Sequence, residues 1–123
     1  LGYVSEADLP VLYSGALAFA YISHYEGFGL PLLEAMRCET PVIYGNNSSM
    51  QEIVTNCGCP VNANSVKEIS QAMERYFFDE KLRNNMAEKG YYRALEFSWD
   101  KAALETMEYY LELVDESLIN GHD

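Results

Sequence analysis

A nearly continuous apolar run at residues 16–23 constrains the fold most, because such a run is typical of a strand that is buried on both faces. Shorter apolar runs predict three further strands, at residues 1–4, 41–44 and 59–61. The segments between the strands predict helices at residues 6–14 and 30–37, and a short helix or turn at residues 50–55. Strands that alternate with helices at this spacing form parallel sheets. The sequence therefore predicts an α/β fold, a Rossmann-like parallel sheet with flanking helices.

From about Val66 onward the sequence has a helical periodicity. Two apolar stripes recur at spacings of three and four residues, and each predicts a face that packs against other helices. The first stripe consists of Val66, Ile69, Met73 and Phe77, and the second consists of Leu104, Met107, Leu111, Val114 and Leu118. Trp99, at the start of the last helical segment, is expected to be a core anchor.

The composition excludes several classes of protein. A length of 123 residues suits one domain, and the net charge of −11 argues against nucleic acid, whose phosphates attract Lys and Arg. No apolar run approaches the roughly 20 residues that span a bilayer, so we expect no membrane segment in this chain. The three cysteines have neither a disulfide framework nor a zinc-site spacing. We therefore expect a cytoplasmic protein without a bound metal.

The stretch from Glu26 to Glu34 joins the end of the long predicted strand to the start of a helix. Gly27 and Gly29 permit positive φ angles and a close approach of the backbone to a ligand. Pro31 falls in the first helical turn, where its missing N–H costs nothing. In a parallel sheet this turn lies at the edge where ligands bind, and its free N–H groups and helix dipole favour an anion. The stretch therefore predicts a phosphate site.

Two carboxylates flank the predicted phosphate site from different sides. Glu26 lies in the loop after the strand, and Glu34 lies near the second turn of the helix. Carboxylates accept hydrogen bonds from hydroxyls, and a ribose or a sugar has vicinal hydroxyls to donate. A phosphate between two carboxylates therefore favours a nucleotide joined to a sugar. Two structural roles stay open on the residues alone: Glu34 as an acid that is favourable near a helix N-terminus, and Glu26 as a solvated loop residue.

The same stretch resembles the signature of a large family of retaining glycosyltransferases, family four, which includes sucrose synthase-like and mannosyltransferase-like enzymes. In that signature two glutamates are separated by seven residues, with Gly-Phe-Gly-Leu-Pro between them, and Glu26 and Glu34 meet this spacing. Further motifs match in the family's order on both sides of the signature: Leu1-Gly2-Tyr3-Val4, Glu34-Ala35-Met36, Thr40-Pro41-Val42-Ile43 and Phe97-Ser98-Trp99.

Two positions depart from the family's pattern. Glu39 stands where the family prefers a glycine, which would end the helix in a left-handed conformation. Gln51 stands where the family usually has a proline in a turn. We therefore expect a different helix end at Glu39 and an altered turn at Gln51, with the chemistry of the signature retained.

The resemblance implies the GT-B fold, in which two Rossmann-like domains face each other across a cleft. Residues 1–123 would form the later part of the C-terminal, nucleotide-sugar-binding domain. An N-terminal domain outside this sequence would bind the acceptor and would be the part that reaches the inner face of a membrane. By their positions in the signature, Glu26 would be the catalytic residue at the donor sugar and Glu34 would bind the ribose hydroxyls. The other nucleotide-sugar contacts would come from the backbone of Gly27, Phe28, Gly29 and Leu30, with the backbone near Val4 at the base.

The implied activity is retaining transfer of a sugar from a nucleotide-diphosphate sugar to an acceptor, with neither a cofactor nor a metal ion. We expect this chain alone to be inactive, because transfer requires the acceptor to be held against the donor. Two other functions stay open. A non-catalytic nucleotide-sugar-binding module would keep the fold without the reaction, although both glutamates are present. A dinucleotide-binding oxidoreductase half would need a third glycine after Gly27-Phe28-Gly29, and the sequence lacks it at the expected place.

Overall fold

The structure is a computed structural model that describes residues 2–46 and 49–120, without the side chains of residues 115–120. In the first half of the chain, strands alternate with short helices, and longer helices follow. The elements in chain order are α1 (Leu9–Gly15), β1 (Phe19–Tyr21), α2 (Leu30–Arg37), β2 (Val42–Gly45), α3 (Met50–Val54), β3 (Gly58–Val61), α4 (Val66–Phe78), α5 (Glu80–Leu95) and α6 (Trp99–Asn120). None of the helices in the described ranges combines the length and the apolar character that crossing a membrane requires.

The three strands form one parallel sheet in the order β1-β2-β3. Phe19 of β1 is the partner of Val42 in β2, and Ile43 of β2 is the partner of Cys59 in β3. Each crossover contains a helix, α2 or α3, as parallel neighbours require. The predicted α/β fold with a parallel sheet and flanking helices is therefore confirmed. The carboxyl ends of the strands meet at one edge, where the loop to α2 begins.

Strand β2 is the centre of the core because all four of its residues are buried. Its side chains alternate between the two faces of the sheet. On one face, Val42 and Tyr44 pack with buried residues of α2, α3 and α5: Leu32, Ala35, Met36, Met50, Ile53, Val54 and Ala94. On the other face, Ile43 packs with Val61 and with two residues of α4, Ala72 and Tyr76. Helices therefore cover both faces of the central strand. The burial on both faces predicted for the run at residues 16–23 is wrong, because in β1 Phe19 and Tyr21 are only partly buried and Ala20 is exposed.

Several element boundaries differ from the predicted ones. Residues 2–4 form no strand, and Leu1 lies outside the described residues. Helix α1 begins at Leu9 instead of residue 6, because Pro10 occupies its first turn and residues 6–8 form a separate turn. Strand β1 is shorter than the apolar run at residues 16–23, since its pairing with β2 extends only over Phe19–Tyr21.

Helix α2 ends in a left-handed conformation even though glutamate replaces glycine there. Glu39 has a φ angle of 54°. Its N–H donates to the carbonyl of Met36 at 3.1 Å, and the N–H of Thr40 donates to the carbonyl of Ala35 at 3.0 Å. This pair of bonds is the Schellman motif. The expectation of a different helix end is therefore wrong, because the two bonds hold Glu39 in a conformation that L-residues rarely adopt.

The apolar stripes of the helical region are largely exposed. Ile69 packs against the core, but α4 buries Ala72 and Tyr76, and Phe77 of the first stripe is 64% exposed. Trp99, the expected core anchor, is 79% exposed at the start of α6. The second stripe is also exposed, at Leu104, Met107, Leu111 and Val114, and the Leu118 side chain lies outside the described residues. The packing predicted for the exposed residues of both stripes and for Trp99 is wrong within this chain, whereas Ile69 packs as predicted. A helical period identifies an apolar face but not the surface that covers it.

Candidate functional site

The loop between β1 and α2 carries the two signature glycines. Gly29 directly precedes α2 and has a φ angle of 89°, in the left-handed region that favours glycine. A Cβ on Gly29 would lie 3.4 Å from Leu32 and 3.6 Å from Met50, so the backbone also packs closely. Gly27 differs from the prediction because its φ angle is not positive. Among the described residues, no atom outside its chain neighbours lies within 4 Å of a Cβ built on Gly27, so a ligand has room to approach this backbone.

The N-terminus of α2 lies at the carboxyl end of β1, as the sequence predicts. Pro31 is in the first turn, and the N–H of Leu32 donates to the carbonyl of Gly29 at 3.0 Å. The first turn of α2 contains no acidic residue. The N–H groups of a first turn have few intrahelical partners, and the helix dipole gives this end a partial positive charge. The geometry therefore suits an anion at this helix end, beside the exposed residues Gly27 and Phe28, since Gly29 itself is buried.

Glu34 lies on the second turn of α2, and its carboxylate is exposed. Its Oε2 atom accepts a hydrogen bond from the hydroxyl of Tyr13, on α1, at 3.2 Å. Burial of Tyr13, followed by the charge and the hydrogen bond of Glu34, raises the pKa of the Tyr13 phenol to about 12. Tyr13 therefore remains protonated at neutral pH and holds one oxygen of Glu34, while the carboxylate keeps other lone pairs for a ligand.

Glu26 lies in the loop after β1 and is partly buried. Burial of Tyr21, at the end of β1, followed by a hydrogen bond to and the charge of the Glu26 side chain, raises the pKa of the Tyr21 phenol. The backbone carbonyl of Glu26 accepts a hydrogen bond from Ser49 Oγ at 3.2 Å. Ser49 precedes α3, so the loop that carries Glu26 is attached to the neighbouring strand–helix connection.

Phe19 joins the two tyrosines that contact the glutamates. Its ring meets that of Tyr13 edge-on at a centroid distance of 5.1 Å and stacks on that of Tyr21 at 5.9 Å. Neither tyrosine stands out in the sequence as a site residue, because Tyr13 lies in a predicted helix and Tyr21 in a predicted strand whose side chains are expected only to pack against the core. Alternation along β1 places Phe19 and Tyr21 on one face of the sheet, which is the signal that links them.

A groove of about 1090 Å³ lies beside Glu34, between α1, α2, the end of α5 and the start of α6. It brings together three of the predicted site residues: Phe28, Leu30 and Glu34. The others do not line it: Val4, Glu26, Gly27 and Gly29. Val4 precedes α1 in a segment without regular structure, and Glu26 lies in the loop outside the groove. Of the two signature glutamates, only Glu34 lines this groove.

Two arginines also line the groove, but their guanidinium groups donate to the backbone. Arg37 donates to the carbonyl of Phe97 at 2.9 Å. Arg93 donates to the carbonyls of Ile53 and Glu52 at 3.0 and 2.8 Å. These bonds fasten α5 and the segment after it to α2 and α3. Among the described side chains, those of residues 2–46 and 49–114, no group of three or more His, Cys, Asp and Glu is arranged to hold a metal ion.

Several known proteins are similar to this chain in sequence and in fold. Residues 1–93 match the family model of the group 1 glycosyl transferases. The O-antigen chain mannosyltransferase B of Escherichia coli is 41% identical over 110 residues, covering 89% of this chain and 29% of that protein. A probable sucrose-phosphate synthase of Thermosipho melanesiensis is 33% identical over 119 residues, covering 90% of this chain and 26% of that protein.

A solved structure shows the same architecture. Sucrose-phosphate synthase from Thermosynechococcus elongatus superposes with a TM-score of 0.82 at 30% identity, covering 95% of this chain and 30% of that one. The chain thus spans less than a third of the length of these three relatives. Its sheet and helices correspond to part of a GT-B glycosyltransferase. The match to the family model covers the signature and the neighbouring motifs through Ile43, and the chain belongs to the group 1 glycosyl transferases.

Proposed function

We propose that this chain is part of a nucleotide-sugar-binding domain, and that the natural protein containing it is a retaining glycosyltransferase. The main support is the placement of two carboxylates on either side of a helix N-terminus. Glu26 lies in the loop before α2, Glu34 lies on its second turn, and the left-handed Gly29 lies between them. A phosphate at the helix end would have hydroxyl-accepting groups on both sides. Membership of the group 1 glycosyl transferases supports the reaction class.

The diphosphate is proposed to bind at the N-terminus of α2, against the backbone of Gly27, Phe28, Gly29 and Leu30. The open space beside Gly27 and the left-handed φ angle of Gly29 support a close approach of the ligand to this backbone. The two arginines of the groove donate to backbone carbonyls, so the proposal relies on N–H groups and the helix dipole of this chain. Cations from other parts of the natural protein would add to them.

The ribose is proposed to bind to Glu34. Its carboxylate is exposed beside the groove, and the groove also contains the side chains of Phe28 and Leu30. These apolar side chains offer a surface for the nucleoside next to the carboxylate. Val4 lies outside the groove, so its proposed contact with the base is supported by the sequence resemblance and not by this geometry.

The donor sugar is proposed to contact Glu26. In the transfer, the bond between the anomeric carbon and the phosphate oxygen breaks, and a bond to an acceptor oxygen forms on the same face of the sugar. The nucleoside diphosphate leaves, and the proton of the acceptor hydroxyl passes to its phosphate oxygen. The sugar gains positive character as the first bond breaks. A fixed carboxylate stabilises that charge more in the transition state than in the bound donor. We therefore propose that Glu26 mainly affects the turnover rate. Glu34 contacts the ribose, which the free nucleotide and the donor share, and is proposed to affect mainly the binding affinity.

The rest of the reaction is proposed to depend on parts of the natural protein other than this chain. The relatives are more than three times as long, which leaves room for a domain that holds the acceptor. Neither a cofactor nor a metal ion is part of the proposal, because group transfer needs only a leaving phosphate and a stabilised sugar. The three free cysteines support a reducing, cytoplasmic compartment, which fractionation of the source cells tests.

The deciding experiment measures turnover and binding separately on the natural protein. Nucleotide sugars of uridine, guanosine and adenosine diphosphate are tested, including mannose donors because several relatives are named mannosyltransferases. Glu34→Ala should weaken binding of both the free nucleotide and the donor by about 10- to 100-fold, the loss of one or more charge-assisted hydrogen bonds. Glu26→Gln should leave nucleotide binding nearly unchanged and lower turnover on the order of a hundredfold.

The control is Glu88→Gln, which removes an equal charge from an exposed position on α5. It should change neither turnover nor affinity. Near-normal turnover in Glu26→Gln removes Glu26 from the catalytic assignment, and unchanged nucleotide affinity in Glu34→Ala removes Glu34 from the ribose site. A wild-type protein that binds nucleotide sugars but transfers none would instead be the non-catalytic module. The anomeric configuration of the product, read by nuclear magnetic resonance, tests retention.

A further inference from the structure

Tyr13 is held firmly where it meets Glu34. Its carbonyl accepts a hydrogen bond from Thr40 Oγ1 at 2.7 Å, and Thr40 is buried. Its ring meets the ring of Phe19 edge-on, and its hydroxyl donates to Glu34 Oε2 at 3.2 Å. Backbone, ring and hydroxyl of Tyr13 therefore each have a fixed neighbour. Glu34 is an exposed side chain on a helix, and this hydrogen bond restricts the rotamers that its carboxylate can adopt.

Tyr21 has the same relation to Glu26. It stands at the end of β1, where its backbone is paired with Tyr44 of β2. Its ring stacks on Phe19 at a centroid distance of 5.9 Å, and the Glu26 side chain contributes, after burial, to the raised pKa of its phenol. Glu26 lies in a loop, and loops are less fixed by their backbone than strands are. Because Tyr21 belongs to a paired strand, its position is more firmly fixed than that of the loop that carries Glu26. Tyr21 can therefore restrict the orientation of the Glu26 side chain.

We propose that Tyr13 and Tyr21 are positioning residues, each of which orients one glutamate of the site toward the nucleotide sugar. Phe19 packs between the two rings, so the three aromatic side chains form one support behind both carboxylates. The inference rests on the proposed function of Glu26 and Glu34. Both phenols have raised pKa values, so both remain hydrogen-bond donors at neutral pH. A site is most effective when the groups that touch the ligand are themselves oriented by such neighbours.

Each tyrosine should then reproduce, in weaker form, the phenotype of its own glutamate. Tyr13→Phe keeps the ring and removes the hydroxyl, so it should weaken binding of the free nucleotide by about threefold to tenfold with little change in kcat. Tyr21→Phe should lower kcat by a similar factor and leave nucleotide affinity nearly unchanged. A merely structural role cannot produce this split, because loss of packing or stability would lower kcat and affinity together.

The experiment uses the natural protein and four measurements: affinity for uridine, guanosine and adenosine diphosphates, donor KM, kcat and the melting temperature. Tyr92→Phe is the matched control, since Tyr92 is exposed on α5 and distant in sequence from both glutamates. It should change none of them. In the Glu34→Ala background, Tyr13→Phe should have no further effect on nucleotide affinity, because the carboxylate that it orients is gone.

The outcomes separate the two proposals. If Glu34→Ala weakens nucleotide binding and Tyr13→Phe does not, the positioning role of Tyr13 is refuted and the proposed function stands. The same holds for Tyr21 if Glu26→Gln lowers kcat and Tyr21→Phe does not. If neither glutamate variant has its expected effect, both proposals are overturned. A lowered melting temperature with kcat and affinity falling together in Tyr13→Phe or Tyr21→Phe would assign those tyrosines to the fold instead.

Discussion

Replacement of Glu39 by glycine should stabilise the protein. Glu39 is exposed and has a φ angle of 54°, and the Schellman bonds at the end of α2 fix it in that conformation. A left-handed backbone costs an L-residue roughly 1–2 kcal/mol, and glycine avoids this cost. Glycine in turn loses about 0.5–1 kcal/mol through the greater freedom of the unfolded chain. Removing a carboxylate from a helix C-terminus adds about 0.3–1 kcal/mol. The expected net gain in the free energy of unfolding is about 1 kcal/mol.

Urea unfolding of the natural protein, followed by circular dichroism, measures this gain for Glu39→Gly. With a slope of about 1–3 kcal/mol per molar urea, 1 kcal/mol moves the midpoint upward by roughly 0.3–1 M. Glu39→Gln is the control, because it removes the same charge and keeps the side chain at the left-handed position. It should gain only the electrostatic part. A midpoint for Glu39→Gly at or below that of wild type would refute the reasoning, and equal gains in both variants would show that charge and not backbone strain is responsible.

Two further predictions concern the core and the effect of pH. A Cβ on Gly58 would lie 2.8 Å from side-chain carbons of both Val42 and Val54, so Gly58→Ala should destabilise the protein by about 1–3 kcal/mol in the same urea assay. Gly15→Ala, where a Cβ meets no atom within 4 Å, should change the midpoint little, and equal midpoints in the two variants would contradict this packing argument. The pKa of Tyr13 is raised in the folded protein to about 12, so its contribution to stability should be complete below pH 10 and lost as the pH rises through about 12. Melting temperatures of wild type and Tyr13→Phe should therefore converge as the pH rises over this interval, and a constant difference would contradict the linkage.

The parallel sheet could be predicted because the sequence contains both apolar runs that suit its strands and a signal for the helix that connects them. The apolar runs at residues 16–23 and 41–44 indicate strands, and Pro31 indicates the helix start between them. Which strand is covered on both faces could not be predicted, because β2 is fully buried whereas β1, in the longer apolar run, is only partly buried. The exposure of the apolar stripes on α4 and α6 could not be predicted. Helical periodicity identifies an apolar face, but burial also requires a second surface that packs against that face. Trp99 shows this most clearly: its size favours burial, yet it is 79% exposed in this chain.

The conformation of the site could be predicted at Gly29 and not at Glu39. Gly29, directly before α2, has a left-handed φ angle, and glycine is the residue that best tolerates such an angle. The observed conformation is therefore one that the local sequence favours. At the other end of α2, the hydrogen bonds of Thr40 and Glu39 outweigh the preference of a glutamate, and tertiary structure overrides local propensity. At Gln51, where the family usually has a proline, the side-chain Nε2 donates a hydrogen bond to the carbonyl of Asn46 at 2.7 Å. A proline side chain cannot make this contact.

The tyrosine contacts depend on how three separate elements meet, and this explains both their absence from the sequence analysis and their value for the site. Tyr13 and Glu34 are 21 positions apart and come together only when α1 packs against α2. Tyr21 reaches Glu26 because β1 is fixed by its pairing with β2 while the loop after it turns toward α2. The spacing of residues along the sequence does not predict such contacts between separate elements. Because Phe19 lies between the two tyrosines, a change in how α1 packs against the sheet would reach both glutamates through one aromatic cluster. Affinity and rate are proposed to depend on different carboxylates, but the support behind those carboxylates is shared.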